Sequence, residues 1–144
     1  MSLRALTPRE ASIFACLADT IVAPEPVLPP IRQTDAVAGF DRWLARAPRV
    51  NRLALRAFLY AVELCPPALG FGARLRGLAP EERARLLGRV ERAGSHRVRQ
   101  LVKAMKAMVF LSYYGDDRVM LILGYDAEAN VRRGRALRTR EGRP

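Results

Sequence analysis

The side chains that could do chemistry are few. The 144-residue chain holds two cysteines, Cys16 and Cys65, and one histidine, His96. A thiolate nucleophile needs a base within hydrogen-bond reach, and nothing in the spacing of these three residues brings them together. One histidine and two cysteines also exclude most metal-ligand sets and most imidazole acid–base schemes. Asp116-Asp117 pairs two carboxylates, but successive residues of a helix point in different directions. Their expected roles are a helix cap and an acid in the first turn. Gly70-Phe71-Gly72 is too short for a phosphate-binding glycine loop and follows no strand. No catalytic, cofactor-binding or metal-binding residue is therefore assigned, and the chain offers no enzyme machinery of its own.

The elements that would position a binding surface are clearer. Thr7-Pro8-Arg9-Glu10 combines a cap, a proline at the first helical position and a capping-box glutamate. Leu6 is placed to staple the start of that helix, which carries Ile13, Phe14, Leu17 and Ile21 on one face. Pro24, Pro26, Pro29 and Pro30 then forbid helix or central strand and predict an extended Pro-rich loop. Thr34 or Asp35 caps a second helix with Val37, Phe40, Leu44 and Ala47 inward, ended by Pro48. A third runs from about Val50 to Glu63 with Leu55, Phe58, Leu59 and Val62 as core. A Gly-containing connector, residues 68–77, leads to a fourth beginning at Leu78-Ala79-Pro80-Glu81-Glu82, with Leu86, Leu87 and Val90 inward and acids complementing its dipole.

The fifth helix runs from about Ser95 to Tyr114. Val98, Leu101, Val102, Met105, Val109 and Ser112 make one stripe, and Ala104, Met108, Phe110 and Leu111 add apolar surface elsewhere. A helix apolar nearly all round is buried or makes an interface. Gly115 ends it, and Asp116 caps a short sixth helix with Val119, Met120, Ile122 and Leu123, closed by Gly124. Period-2 alternation is absent throughout. The expectation is an all-α compact bundle of five or six helices over residues 1–128, with a basic tail over 129–144. That tail holds six arginines against one glutamate and is expected to be disordered.

Half the residues are hydrophobic and the formal charge is +11, carried by arginines almost throughout, since Lys103 and Lys106 are the only lysines. The charge and the tail are the footprint of a nucleic-acid binder. Against that alternative stand the absence of a polar recognition helix and the interleaving of acids and bases, as in Glu81-Glu82-Arg83. The residues from Met1 to Ala18 contain no uninterrupted apolar run of the roughly 7–15 residues a signal peptide requires. The greasy stretch from Leu101 to Tyr114 is broken by Lys103 and Lys106 and falls short of the roughly 20 residues of a spanning helix. A cytoplasmic protein with no membrane span and two free thiols is expected.

Four segments, in their order and spacing, resemble one family. They are Leu6-Thr7-Pro8-Arg9-Glu10; Leu17-Ala18-Asp19-Thr20-Ile21-Val22 followed by the Pro-rich loop; Leu78-Ala79-Pro80-Glu81-Glu82-Arg83; and Ala104-Met105-Lys106-Ala107 through Tyr113-Tyr114-Gly115-Asp116 to Leu123-Gly124-Tyr125-Asp126. Over residues 5–126 the chain is similar to the gluconate 2-dehydrogenase subunit 3 family, and to the N-terminal segment of long-chain alcohol oxidases. The resemblance implies a small, non-catalytic helical subunit that binds and stabilises a large flavoprotein of the glucose–methanol–choline class. FAD would then reside in the partner, and the complex would act on an alcohol, sugar or sterol-like substrate. Many relatives carry an export signal; this sequence departs from them there, which suits a cytoplasmic complex or a split form of the fused enzyme.

The partner surface expected on this reading comprises Val27, Leu28 and Ile31, offered by the Pro-rich loop as an extended arm, together with Met108, Phe110, Tyr114 and Tyr125. Aromatic residues of this kind are enriched at interface cores. Trp43 and Tyr113 are instead expected to pack the protein's own core. A third reading has the apolar excess lining a cavity for a lipid or sterol.

Overall fold

A computed structural model describes residues 3–93 and 95–140. The described residues form seven α-helices and no strand: α1 Pro8–Val22, α2 Ala36–Arg46, α3 Arg49–Leu64, α4 Pro80–Ala93, α5 His96–Tyr114, α6 Asp117–Ile122 and α7 Ala127–Arg140. Short 3₁₀ turns at Ile31–Gln33, Pro67–Leu69 and Leu75–Gly77 join them. The all-α reading holds.

Helix α1 starts as its sequence dictates. The Thr7 hydroxyl accepts from the Glu10 N–H at 3.2 Å, and the Glu10 carboxylate accepts from the Thr7 N–H at 2.8 Å, so two otherwise orphaned donors are satisfied reciprocally. This helix is the hub of the bundle and packs against α2, α3, α4 and α5. Its inward residues Ile13, Phe14, Leu17 and Ala18 are buried. Phe14 stacks on Phe40 of α2 with ring centroids 4.1 Å apart. Helix α5 lies across the other side and contributes Val102, Met105, Val109 and Tyr113 to the same core.

Long-range carboxylates lock this frame. Asp41 on α2 accepts hydrogen bonds from the backbone N–H groups of Arg4, Ala5 and Leu6 at 2.8, 2.9 and 2.8 Å. Burial pushes its carboxyl up, but these three donors outweigh burial and hold its pKa below the ordinary aspartate range. Glu10 behaves alike: burial raises its pKa, while the Thr7 N–H, the Arg56 guanidinium at 2.7 Å and the Thr7 hydroxyl bring it below the usual value. Glu63 on α3, also buried, receives Arg76 at 2.9 Å and so ties the turn at Leu75–Gly77 to the bundle.

Asp116 does more than cap α6. One oxygen accepts from the Arg118 and Val119 N–H groups, and the other accepts from the Asp35 N–H at the start of α2, at 2.7 Å. One carboxylate thus serves two helix N-termini that lie 81 residues apart in sequence. Asp35 itself makes no side-chain cap bond; the Thr34 hydroxyl accepts from the Ala36 N–H instead.

The basic segment carries the last described helix. Residues 127–140 are helical, begun by the Asp126 carboxylate accepting from the Ala129 N–H at 2.9 Å. Arginine and alanine are good helix formers, so a segment too polar to join a core still acquires local order. Along α7 Val131 and Leu137 stand exposed, as do Arg132 and Arg133. Residues 141–144 of the expected tail lie outside the described residues.

Candidate interaction site

Each of the chemically capable residues has a structural occupation. Cys16 and Cys65 are free thiols, both half-buried. Burial pushes the Cys16 thiol up, and Arg83, which donates to its sulfur at 3.2 Å, offsets only part of that rise. Cys65 is raised by burial as well. A raised pKa leaves the thiol protonated at neutral pH, the inert form. His96 is the exposed first residue of α5, its ring 3.5 Å from the Gln100 amide. Every buried side-chain polar atom among the described residues has a hydrogen-bond partner. No group of three or more His, Cys, Asp or Glu among them is placed to hold a metal ion.

The Pro-rich loop is strapped down rather than free. The Tyr113 hydroxyl donates to the Pro29 carbonyl at 2.7 Å. Burial, with Tyr114, Asp116 and Asp19 nearby, raises the Tyr113 pKa and keeps the phenol a donor. The Ile31 N–H donates to Asp19 on α1 at 3.3 Å, and Arg118 donates to the Gln33 carbonyl at 2.9 Å. Ile31 is fully buried. It is therefore a core residue and not part of an interface, because the loop needs that anchor to close over α1 and α5. Leu28 packs partly against the same core, and only Val27, 74% exposed, remains available at the tip.

The apolar excess gathers at the end of α5 and on α6. Phe110, Leu111 and Tyr114 on α5, then Leu121, Ile122, Leu123 and Tyr125, all stand exposed, with Leu111 at 68% and Leu121 at 71%. The Phe110 and Tyr114 rings lie 6.0 Å apart, and Tyr114 meets buried Tyr113 edge-on at 5.2 Å. Phe110, Tyr114 and Tyr125 are thus exposed in the isolated chain. Leu121, Ile122 and Leu123 are surface residues that the sequence reading does not place there. Their signal was present: a two-turn helix with five consecutive apolar residues, 119–123, has only one face to bury, and α6 buries Val119.

Met108 is half-buried and lines a groove where α2 and α3 both rest on α5. The groove is open to solvent, has a volume of about 630 Å³ and is lined by Trp43, Asn51, Ala54, Leu55, His96, Arg97, Gln100, Leu101, Ala104 and Met108. Trp43 was expected in the core, yet it is 38% exposed and forms one wall, its ring 6.3 Å from Phe40. The reason is the corner at Ala47–Pro48, which turns α3 away from α2 just beyond Trp43. A smaller recess of about 210 Å³ shares Trp43 and Met108 and continues toward Leu111 and Ser112.

Several arginines of the basic surface are engaged in holding the fold. Arg56 and Arg76 pair with buried carboxylates. Arg83 bonds the Leu78 carbonyl, and Arg89 bonds the Leu69 carbonyl and lies over Phe71. Lys106 pairs with Glu91. No described helix is long and apolar enough to cross a membrane. No family model matches the chain, and neither a curated protein nor a solved structure matches it.

Proposed function

We propose that this chain is a non-catalytic accessory subunit that docks on a larger protein through the exposed apolar face of α5 and α6. The carrying observation is the run of seven exposed large apolar side chains between Phe110 and Tyr125. Exposed large apolar side chains concentrated in one stretch in this way mark an interaction surface on a small protein. It contains aromatic anchors of the sort that dominate binding energy. Following the sequence resemblance, the partner is a large FAD-dependent oxidoreductase of the glucose–methanol–choline class acting on an alcohol, sugar or sterol-like substrate, in a cytoplasmic complex. The chain would stabilise the flavoprotein and contribute no reacting group.

The test is an affinity pull-down from the native host at moderate salt, scored for flavin absorbance and co-purifying protein. A yellow complex with a large flavoprotein, lost on Leu121→Glu, supports the reading. A colourless preparation carrying nucleic acid that washes off with salt would transfer the assignment to the basic surface. The engagement of Arg56, Arg76, Arg83 and Arg89 within the fold weighs against that outcome.

A further inference from the structure

The groove above α5 has a chemistry of its own, independent of the docking face and of any flavoprotein. Its lining is largely apolar, from Trp43, Leu55, Leu101 and Met108 with the small Ala54 and Ala104 between them, and Asn51, His96 and Gln100 are its uncharged or weakly basic polar members. Its volume, about 630 Å³, lies within the range of small-molecule sites. No acidic side chain lines it. One end is cationic. Arg97 lines it there and pairs with no carboxylate among the described residues. The same end is the start of α5, whose first-turn N–H groups carry the positive pole of the helix. Ser95 occupies only the Val98 N–H.

From Arg97 to Met108 the groove follows α5 for eleven residues, about 16 Å at the helical rise. One arginine at one end and no acidic side chain along the rest suit an occupant with a single anionic head and one apolar chain. A single extended hydrocarbon chain fits. We propose that this groove binds a medium-chain fatty acid of about twelve carbons, its carboxylate at Arg97 and the α5 N-terminus and its acyl chain along Trp43, Leu101 and Met108.

Trp43 is the only tryptophan in the chain, so its fluorescence reports the groove directly. The full chain is titrated with sodium dodecanoate below its micellar concentration, with dodecanol and dodecylammonium as neutral and cationic counterparts. The expected result is a saturable change with dodecanoate, weaker binding of the alcohol and weakest binding of the ammonium. Arg97→Gln should weaken dodecanoate at least about ten-fold, as expected for a charge-assisted hydrogen bond, and leave dodecanol unchanged. Ala104→Leu should fill the groove and abolish binding of both; Ala54→Leu, on the opposite wall, serves if that variant does not fold. No saturable signal, equal binding of the three head groups, or undiminished binding in a filled groove would each overturn the proposal. The titration uses the isolated chain, so its result is independent of whether a flavoprotein partner is found.

Discussion

Two regions of this bundle handle their demanding side chains in opposite ways. Around α1, every buried acid has its own donors: Glu10 has Thr7 and Arg56, Asp41 has three backbone N–H groups, and Glu63 has Arg76. At the end of α5 and along α6, large apolar groups are left in water, from Phe110 to Tyr125. The first arrangement is expensive to break, because each lost partner leaves a buried polar group unpaired. The second should cost little stability when altered and leaves room for a partner. In a small domain the difference separates residues retained for stability from residues available for recognition.

The comparison is broken most severely at Asp41. Asp41→Ala strands the N–H groups of Arg4, Ala5 and Leu6, and the loss should be about 3 kcal/mol. Thermal melting should register it as a fall of roughly 10 °C. The same residue sets the acid limit. Asp41 and Glu10 have folded pKa values below their unfolded ones. Their contribution is therefore fully present above about pH 5 and drains away as pH falls through the folded values. In Asp41→Asn the acid-unfolding curve should flatten over that window; an unchanged curve would remove Asp41 as its source.

In the other region, Tyr114→Ala should cost about 2 kcal/mol of partner affinity, near 30-fold in Kd, while melting stays within about 0.5 kcal/mol of the parent. Equal losses in both measurements would move Tyr114 into the structural class. Tyr113→Phe, one residue away, should do the reverse. It loses the bond to Pro29, about 1 kcal/mol, and exposes the loop at residues 24–30 to faster hydrogen exchange without altering partner binding. The smallest effect belongs to Ala23, which ends α1 at φ 42° in the left-handed region. Ala23→Gly should stabilise by about 0.5 kcal/mol, because the relief of the Cβ clash slightly exceeds the added chain entropy. Calorimetry resolves a change of that size.

Legibility in the sequence followed the range of the interactions. The capping box at Thr7 and Glu10, the stop at Pro48, the cap at Asp116 and the inward stripes of α1 and α3 were all readable, because each depends on residues within a turn or two. Asp41 was not, since its partners lie 35 to 37 residues away. Ile31 reads as a docking residue in the sequence because an apolar side chain in a Pro-rich loop carries no mark of which way it faces; Asp19 and Tyr113, both distant in sequence, hold the loop so that it faces inward. Trp43 erred in the other direction.

Composition and local pattern alone thus determine that this chain is helical, where most helices begin and end, and that α5 and α6 carry more apolar residues than one face can hold. Only the tertiary structure decides which of those residues face out and where α2, α3 and α5 leave a groove. A period of 3.6 identifies a buried face when the other face is polar; on a helix apolar nearly all round the period is silent, and packing against neighbours distant in sequence makes the choice.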